Sequence, residues 1–429
     1  MRLTLTALLA VMMIGIGVPA FAELTNVEVG GSIRIRGQYL TPALLTADPD
    51  DYEGLAFTEQ RTTINVKADF TDDVTAFIEL DAYSEWGNHF RENAKTGQAT
   101  SGNQDVHMYQ AYIEMRDAWG YPITLRIGRQ EVLLGSEWLV GNNDTAGAFT
   151  GLYHDGIAAI FGADNFTLTG LFSKASETGA AEEDGDVDFY VLYGSFTGVE
   201  DLTLDGYVMH LRSAAGTTQG NEETVELTTV GFRAAGEAGI FDYEGEIAYQ
   251  TGQAMVAVGI SGASDIEYDA LGVNVELGFS IDNDSQTRIF IGAAYFEGTS
   301  DDGEDVGFNR LLSDWEYSEF LANTDMSNVL VLRGGVSCQL TEKIGILGVA
   351  SYFEEDESYG GDDEVGMEIG LYLTYDYSED LYFEFGYAHF FTDDGLEDGS
   401  AITASGMGSV GGMGDDDADY IYAETGISF

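Results

Sequence analysis

One cysteine, Cys338, stands in 429 residues. That excludes an internal disulfide framework and any metal site of the CxxC type. Proline is nearly as scarce, at Pro19, Pro42, Pro49 and Pro122, and the last three fall where the chain reads as loop or turn. Basic residues are few, 17 Lys and Arg against 75 Asp and Glu, for a formal net charge of −58. Nucleic acid is excluded as a partner, because its phosphates need a cationic surface. The five histidines are scattered without metal-ligand spacing. None has a G-x-S-x-G or comparable nucleophile context, so no catalytic residue is assigned and no enzyme activity is expected. After Ala22 no apolar run is long enough for a transmembrane helix.

What is present points to an exported β-protein. "MRLTLTALLAVMMIGIGVPAFA" has a short basic start at Arg2, an apolar run from Leu5 to Val18, and an A-x-A pattern at Ala20-Phe21-Ala22. Residues 1–22 are therefore expected to be a cleaved signal peptide, leaving residues 23–429 as one barrel domain. The chain is 44% hydrophobic and 12% aromatic, with 55 glycines, far too apolar for a disordered acidic tail. Period-two alternation dominates. In "RTTINVKADF", Ile64, Val66, Ala68 and Phe70 share one face, while Arg61, Thr63, Asn65, Lys67 and Asp69 share the other. "VTAFIELDAYSEW" follows after three residues with the same pattern, which predicts an antiparallel hairpin.

Eighteen such strands are counted, beginning near Ser32, Thr58, Val74, Val106, Ile123, Leu152, Phe166, Asp188, Leu202, Thr224, Ile240, Tyr268, Thr287, Asn328, Ile344, Val365, Leu381 and Ala418. Short turns such as 71–73 and 163–165 alternate with long polar loops such as 87–105, 133–151 and 298–327. The expected fold is all-β: a transmembrane antiparallel up-and-down barrel of about eighteen strands in a bacterial outer membrane, with short periplasmic turns and long acidic extracellular loops. A soluble sandwich shows the same alternation. The signal peptide and the amphipathic last strand "YIYAETGISF", ending in Phe429, separate the two.

"GGSIRIRGQY", "LRIGRQEVLLGSEWLVGN" and "GLYHDGIAAIFGADNFTLTGLFSK" resemble the alginate-export family of outer-membrane barrels. The hallmark LR-x-GRQ-E is matched by Leu125, Arg126, Gly128, Arg129, Gln130 and Glu131, with Gly135 following. The resemblance is firm over residues 29–175 and in register beyond, in "TTVGFRAAG" and "GEIAYQTGQ". It implies an eighteen-stranded barrel in which lumenal Arg and Lys draw uronate carboxylates through. The matching positions are Arg34, Arg36, Arg61, Lys67, Arg116, Arg126 and Arg129.

Parity alone places Arg34, Arg36, Arg61, Lys67, Arg116, Arg126, Arg233 and Arg333 toward the lumen. Glu79, Asp81, Glu114 and Glu244 share it, with Asp69, Glu85, Asp242, Glu246, Glu276, Glu368 and Glu384. Either these charges pair across strands and hold the barrel's shape, or a basic wall on the first five strands faces an acidic one. Arg129 is out of phase with Arg126. Either it lies at the outer rim, or a bulge at Gly128 turns it inward to line the pore, and the second option is the expectation. His107 and His389 fall on lipid-facing parity.

No cofactor is expected. The acidic runs, such as "DPDDYE", "SDDGED" and "GDDDAD", have three readings: solvation in a saline habitat, diffuse Ca²⁺ or Mg²⁺ binding that bridges to lipopolysaccharide, or a cation preference at the mouth. "DGDVDF" has Phe189 where a Ca²⁺ loop needs Gly. A constriction is expected from long loops folding inward, either 298–327, with Trp315, Tyr317 and Phe320 packing it, or the Gly-rich 392–417. Three functions follow. The first is a passive channel for an anionic polysaccharide or acidic hydrophilic solute along an arginine-lined lumen. The second is a general, cation-preferring porin. The third is a structural surface barrel whose acidic loops bind divalent cations. Outer-membrane lipid and lipopolysaccharide are the expected surroundings in each case.

Overall fold

The computed structural model describes residues 26–41, 54–87, 106–144, 151–177, 186–214, 225–254, 266–299, 305–321, 326–357, 362–395 and 417–429. The expected cleavage after Ala22 and most of the acidic runs lie outside these residues, as does 396–416 of the Gly-rich loop.

The strands are β1 (Asn26–Thr41), β2 (Leu55–Asp69), β3 (Val74–Glu85), β4 (His107–Met115), β5 (Ile123–Gln130), β6 (His154–Ala163), β7 (Phe166–Ser176), β8 (Val187–Val199), β9 (Leu202–Ser213) and β10 (Val225–Ala238). They continue with β11 (Phe241–Ala254), β12 (Ile266–Ser280), β13 (Arg288–Phe296), a two-residue β14 (Asp305–Val306), β15 (Val329–Thr341), β16 (Ile344–Glu355), β17 (Glu364–Asp376), β18 (Leu381–Thr392) and β19 (Ala418–Ser428). Each of the eighteen long strands pairs antiparallel with the next, and β1 closes on β19 from Ser32 opposite Ser428 to Thr41 opposite Asp419. β14 is an added piece, parallel to the start of β12. The result is a closed eighteen-stranded barrel, in which every strand has two partners and no edge is left unpaired.

The sequence alternation becomes inside and outside. Ile64 is 49% exposed on the outer face and Arg61 4% on the inner. Val29, Ile113, Ile291, Leu371 and Ile421 likewise form an apolar outer surface, the oily band of a barrel in lipid. The interior of the barrel is not uniformly wet. On β6–β9 the inward positions are Ala158, Leu171, Phe189, Val191 and Met209, all buried. They pack in one cluster with Leu134, Trp138, Leu139 and Val140 from the β5–β6 connection. That connection therefore folds into the barrel and covers an apolar stretch of its wall.

Candidate functional site

Two inward loops define the lumen. The first, residues 131–144, follows the "LRIGRQE" strand; the second is residues 307–321. They run beside each other, with backbone bonds from Gly141 N to Leu312 O (2.9 Å), Leu312 N to Leu139 O (2.9 Å) and Asp314 N to Glu137 O (3.0 Å). Trp138, fully buried, lies 5.8 Å from the Phe296 ring and 5.9 Å from Phe308. Its indole N–H donates to the Tyr317 hydroxyl (3.0 Å), which donates to Asn274 Oδ1 on β12 (3.0 Å).

The second loop is also tied to two separate parts of the wall. Gln250 on β11 exchanges two bonds with the Asn309 backbone, each 2.7 Å, as a neighbouring strand would. On β17 the Glu368 carboxylate accepts the Ser318 hydroxyl and the Glu319 N–H (3.1 Å). Phe320 and Leu321 complete the contact from the expected 298–327 constriction, packing in the core beside Phe353 and Phe390. Trp315 packs at the edge of that core.

Glu319 sits where this loop meets the wall. Burial pushes its carboxyl up to about 8, and the charges of Glu316 and Glu368 push the same way. A raised carboxyl favours the docked loop while it is protonated, so docking weakens as pH climbs from the ordinary range of 4.5 toward 8. Single-channel current in planar bilayers is expected to rise between pH 5 and pH 8, and Glu319→Gln to remove that slope. A slope unchanged in the variant would exclude Glu319 as the titrating group.

The lumenal arginines do not form a free wall. Arg36 pairs with Glu424 at 2.7 Å, Arg61 with Asp81 at 2.8 Å, and Arg126 with Glu114 at 2.8 Å. Arg233 reaches Asp205 at 2.7 Å and Glu244 at 3.1 Å, and Arg333 is 4.0 Å from Glu276. Lys67 sits near the periplasmic end between Glu28 (3.5 Å) and Asp69 (3.6 Å). Basic and acidic positions are interleaved on neighbouring strands, not gathered on opposite walls. Alternation reports which face a side chain takes, and the shared face forces the pairing. Arg116 lies just past the end of β4, at the periplasmic edge, where it donates to Asp72 O (3.2 Å).

Arg129 corrects the sequence expectation. The register runs unbroken through Tyr112–Gly128 and Ala111–Arg129, so no bulge turns it inward. Gly128 is kinked at φ +131°, and a Cβ there would sit 2.2 Å from Ala111 O, which explains the glycine without a change of phase. Arg129 faces outward one residue below the end of β5, bonded to Asp155 (2.7 and 2.8 Å) and lying 4.0 Å over the Tyr153 ring. At the rim an outward Arg costs about 0–1 kcal/mol, against roughly 2–4 kcal/mol at mid-membrane. The bulge falls instead in β4. The register shifts between Glu79 and Leu80, and His107 stands opposite the inward Asp81. Its parity is therefore the reverse of the one expected, whereas His389 does lie on the outer face, bonded to Asp419 at 2.9 Å.

Neither motif nor alternation points to Asp144, which stands in a loop. It closes the first inward loop and bridges two strand arginines, 2.8 Å from Arg34 and 2.8 Å from Arg61. A cavity of about 350 Å³ opens beside it, lined by Arg34, Arg61, Glu79, Tyr109, Glu131 and Asp144 among others. Arg288, which holds Asp242 and Glu276 (2.8 Å), was also missed, although its alternation with Ile289 and Ile291 would have placed it inward.

Comparison with known proteins comes to the same fold. The sequence profile described as "Alginate export" matches residues 25–359. No curated protein matches the sequence. Among solved structures, Acinetobacter baumannii OccAB2 superposes with a TM-score of 0.62 at 10% identity, over 95% of this chain and 98% of that one. Pseudomonas aeruginosa OccK9 (OpdG) gives 0.61 at 10% identity over 95% and 99%. OccK8 (OprE) from the same organism gives 0.59 at 13% identity over 95% and 98%. At such identities the likeness is one of fold.

Proposed function

This chain belongs to the alginate-export family of outer-membrane channels, and on that premise we propose that it is a narrow, passive diffusion channel for small hydrophilic solutes with a preference for cations. One observation carries the reading. Lumenal arginines of the strands, Arg34, Arg36, Arg61, Arg126, Arg233 and Arg288, are held by carboxylates, while further inward carboxylates are met by neutral donors. Glu59 accepts from Gln38 (2.8 Å) and Tyr83 (3.0 Å), and Glu79 from Gln110 (2.8 Å). Glu131 accepts from Tyr109 (2.5 Å) and Asn142 (3.3 Å), and Glu368 from Ser318 and a backbone N–H. Of these, Glu79 and Glu131 line the cavity beside Asp144, where their charge acts on whatever enters, and side-chain charge of one sign selects ions of the other. The two inward loops narrow the path, which favours small solutes over a polymer.

Family membership favours a second reading, in which an anionic polysaccharide passes along Arg34, Arg61 and Arg126. Reversal potentials in a planar bilayer under a salt gradient separate the two. Cation preference that persists in Arg126→Glu is the expected result. Anion preference in the native protein, abolished by that change, would establish the second reading in place of the first.

A further inference from the structure

The outward-facing row at the extracellular ends of β5–β10 is alternately charged. Following the strand register, Arg129 stands beside Asp155, Asp155 beside Lys174, Lys174 beside Asp188, Asp188 beside Arg212, and Arg212 beside Glu226. Each lies one or two residues inside the end of its strand, and neighbours are about 4.8 Å apart across a sheet. Ion pairs link the row, Arg129 with Asp155 at 2.7 Å and Lys174 with Asp188 at 2.9 Å, and Lys174 also meets Asp186 at 2.9 Å and Glu177 at 3.2 Å. The side chains of Arg129, Lys174 and Arg212 remain 24–30% exposed. Among the described residues, these three are the only arginines and lysines that point outward at this rim. Elsewhere it carries acids with aromatic partners, as at Asp269 with Tyr249 and Asp419 with Tyr387.

Directly beneath the row, two residues down β7, β8 and β9, come Phe172, Tyr190 and His210, with the Phe172 and Tyr190 rings 5.3 Å apart. Aromatic side chains of this kind mark the boundary between hydrocarbon and head groups. The charged row therefore stands in the head-group layer, facing lipid. A layer of phosphates bridged by divalent cations is itself alternately charged, and a row of alternating sign complements it.

We propose that this sector binds the phosphorylated head group of an outer-leaflet glycolipid, with Arg129, Lys174 and Arg212 taking phosphate and Asp155, Asp188 and Glu226 taking the divalent cations that accompany it. The site is independent of whatever passes through the lumen. Three cations clustered on one quarter of the barrel orient the protein against its lipid and set which side of the rim is lipid-bound.

The test uses the full-length protein refolded in detergent, with bisphosphorylated lipid A as the probe and dephosphorylated lipid A as its control, each with and without Mg²⁺. The native protein is expected to bind the phosphorylated form about tenfold more tightly or better. The triple variant Arg129→Gln, Lys174→Gln, Arg212→Gln should lose that preference, with barrel formation checked by heat-modifiable gel migration. Equal affinity of the native protein for both lipids, or a preference retained in the triple variant, overturns the proposal. Should the triple variant not form a barrel, Asp155→Asn, Asp188→Asn carries the test. Removing the competing carboxylates should tighten phosphate-dependent binding without Mg²⁺ and abolish the Mg²⁺ effect, and no change in either overturns the proposal.

Discussion

Trp138→Ala is expected to raise single-channel conductance several-fold while leaving the barrel intact. Trp138, on the first inward loop, packs against both the second loop and the wall. Its ring packs between Phe296 of β13 and Phe308 of the second loop, and its N–H completes the Tyr317–Asn274 chain. Truncating a fully buried Trp costs about 3–5 kcal/mol, and the Tyr317 hydroxyl loses its donor as well. None of that loss falls on the strand ladder, whose bonds belong to the wall, so it falls on loop docking. Every 1.4 kcal/mol is a factor of ten in the docked population. A barrel of this strand number is wide enough for an aqueous channel once its loops are withdrawn. Trp138→Phe keeps most of the packing and loses only the hydrogen bond, so it should fall between the two. A Trp138→Ala channel with native conductance and native gel migration would mean that the loops do not limit the current.

Those two loops also mark where the sequence stopped being informative. Alternation placed Arg61 inside and Ile64 outside, Glu246 inside and Ile247 outside, because one face of those strands meets lipid and the other meets charge. On β6 and β8 the signal fades, since "GIAAIFGA" and "FYVLYG" are apolar on both faces. The inner face there is covered by residues 132–140, so the apolar run "WLVG" within a loop was the available clue to inward folding. The second loop is one of the two inward-folding candidates, marked by Trp315, Tyr317 and Phe320, and the structure packs all three in or against the core. Arg129 could not be placed from its neighbours. Its cost depends on depth in the membrane, and depth is set by where β5 ends and the chain turns inward. His107 was misplaced for a related reason: a single extra residue in β4 reverses every side chain beyond it. Pairing was the least legible feature, because parity names a face but not the partner across it. Asp144 shows this most clearly, since it reaches Arg34 and Arg61 from more than eighty residues away in sequence.

Asp144→Asn is expected to shift the cation-to-anion permeability ratio toward anions by about fivefold. The native carboxylate spends one oxygen on each arginine, at 2.8 Å, and so cancels most of their field at the cavity between β1–β4 and the first loop. Asparagine keeps the shape and the backbone contact from Arg34 to residue 144 (3.3 Å) but removes the charge. Arg61 retains Asp81, whereas Arg34, which lines the cavity, loses the carboxylate 2.8 Å away. A unit charge acting on a passing ion at 4 Å is worth roughly 1 kcal/mol in water and more where protein walls lower the dielectric, and the water value alone gives the fivefold shift. Arg34→Gln should move the ratio the opposite way, because it leaves Asp144 with one arginine where it had two. Changes of the same sign in both variants, or no change in Asp144→Asn, would place the selectivity-determining step away from this bridge and remove the basis for reading the arginines as neutralised from within.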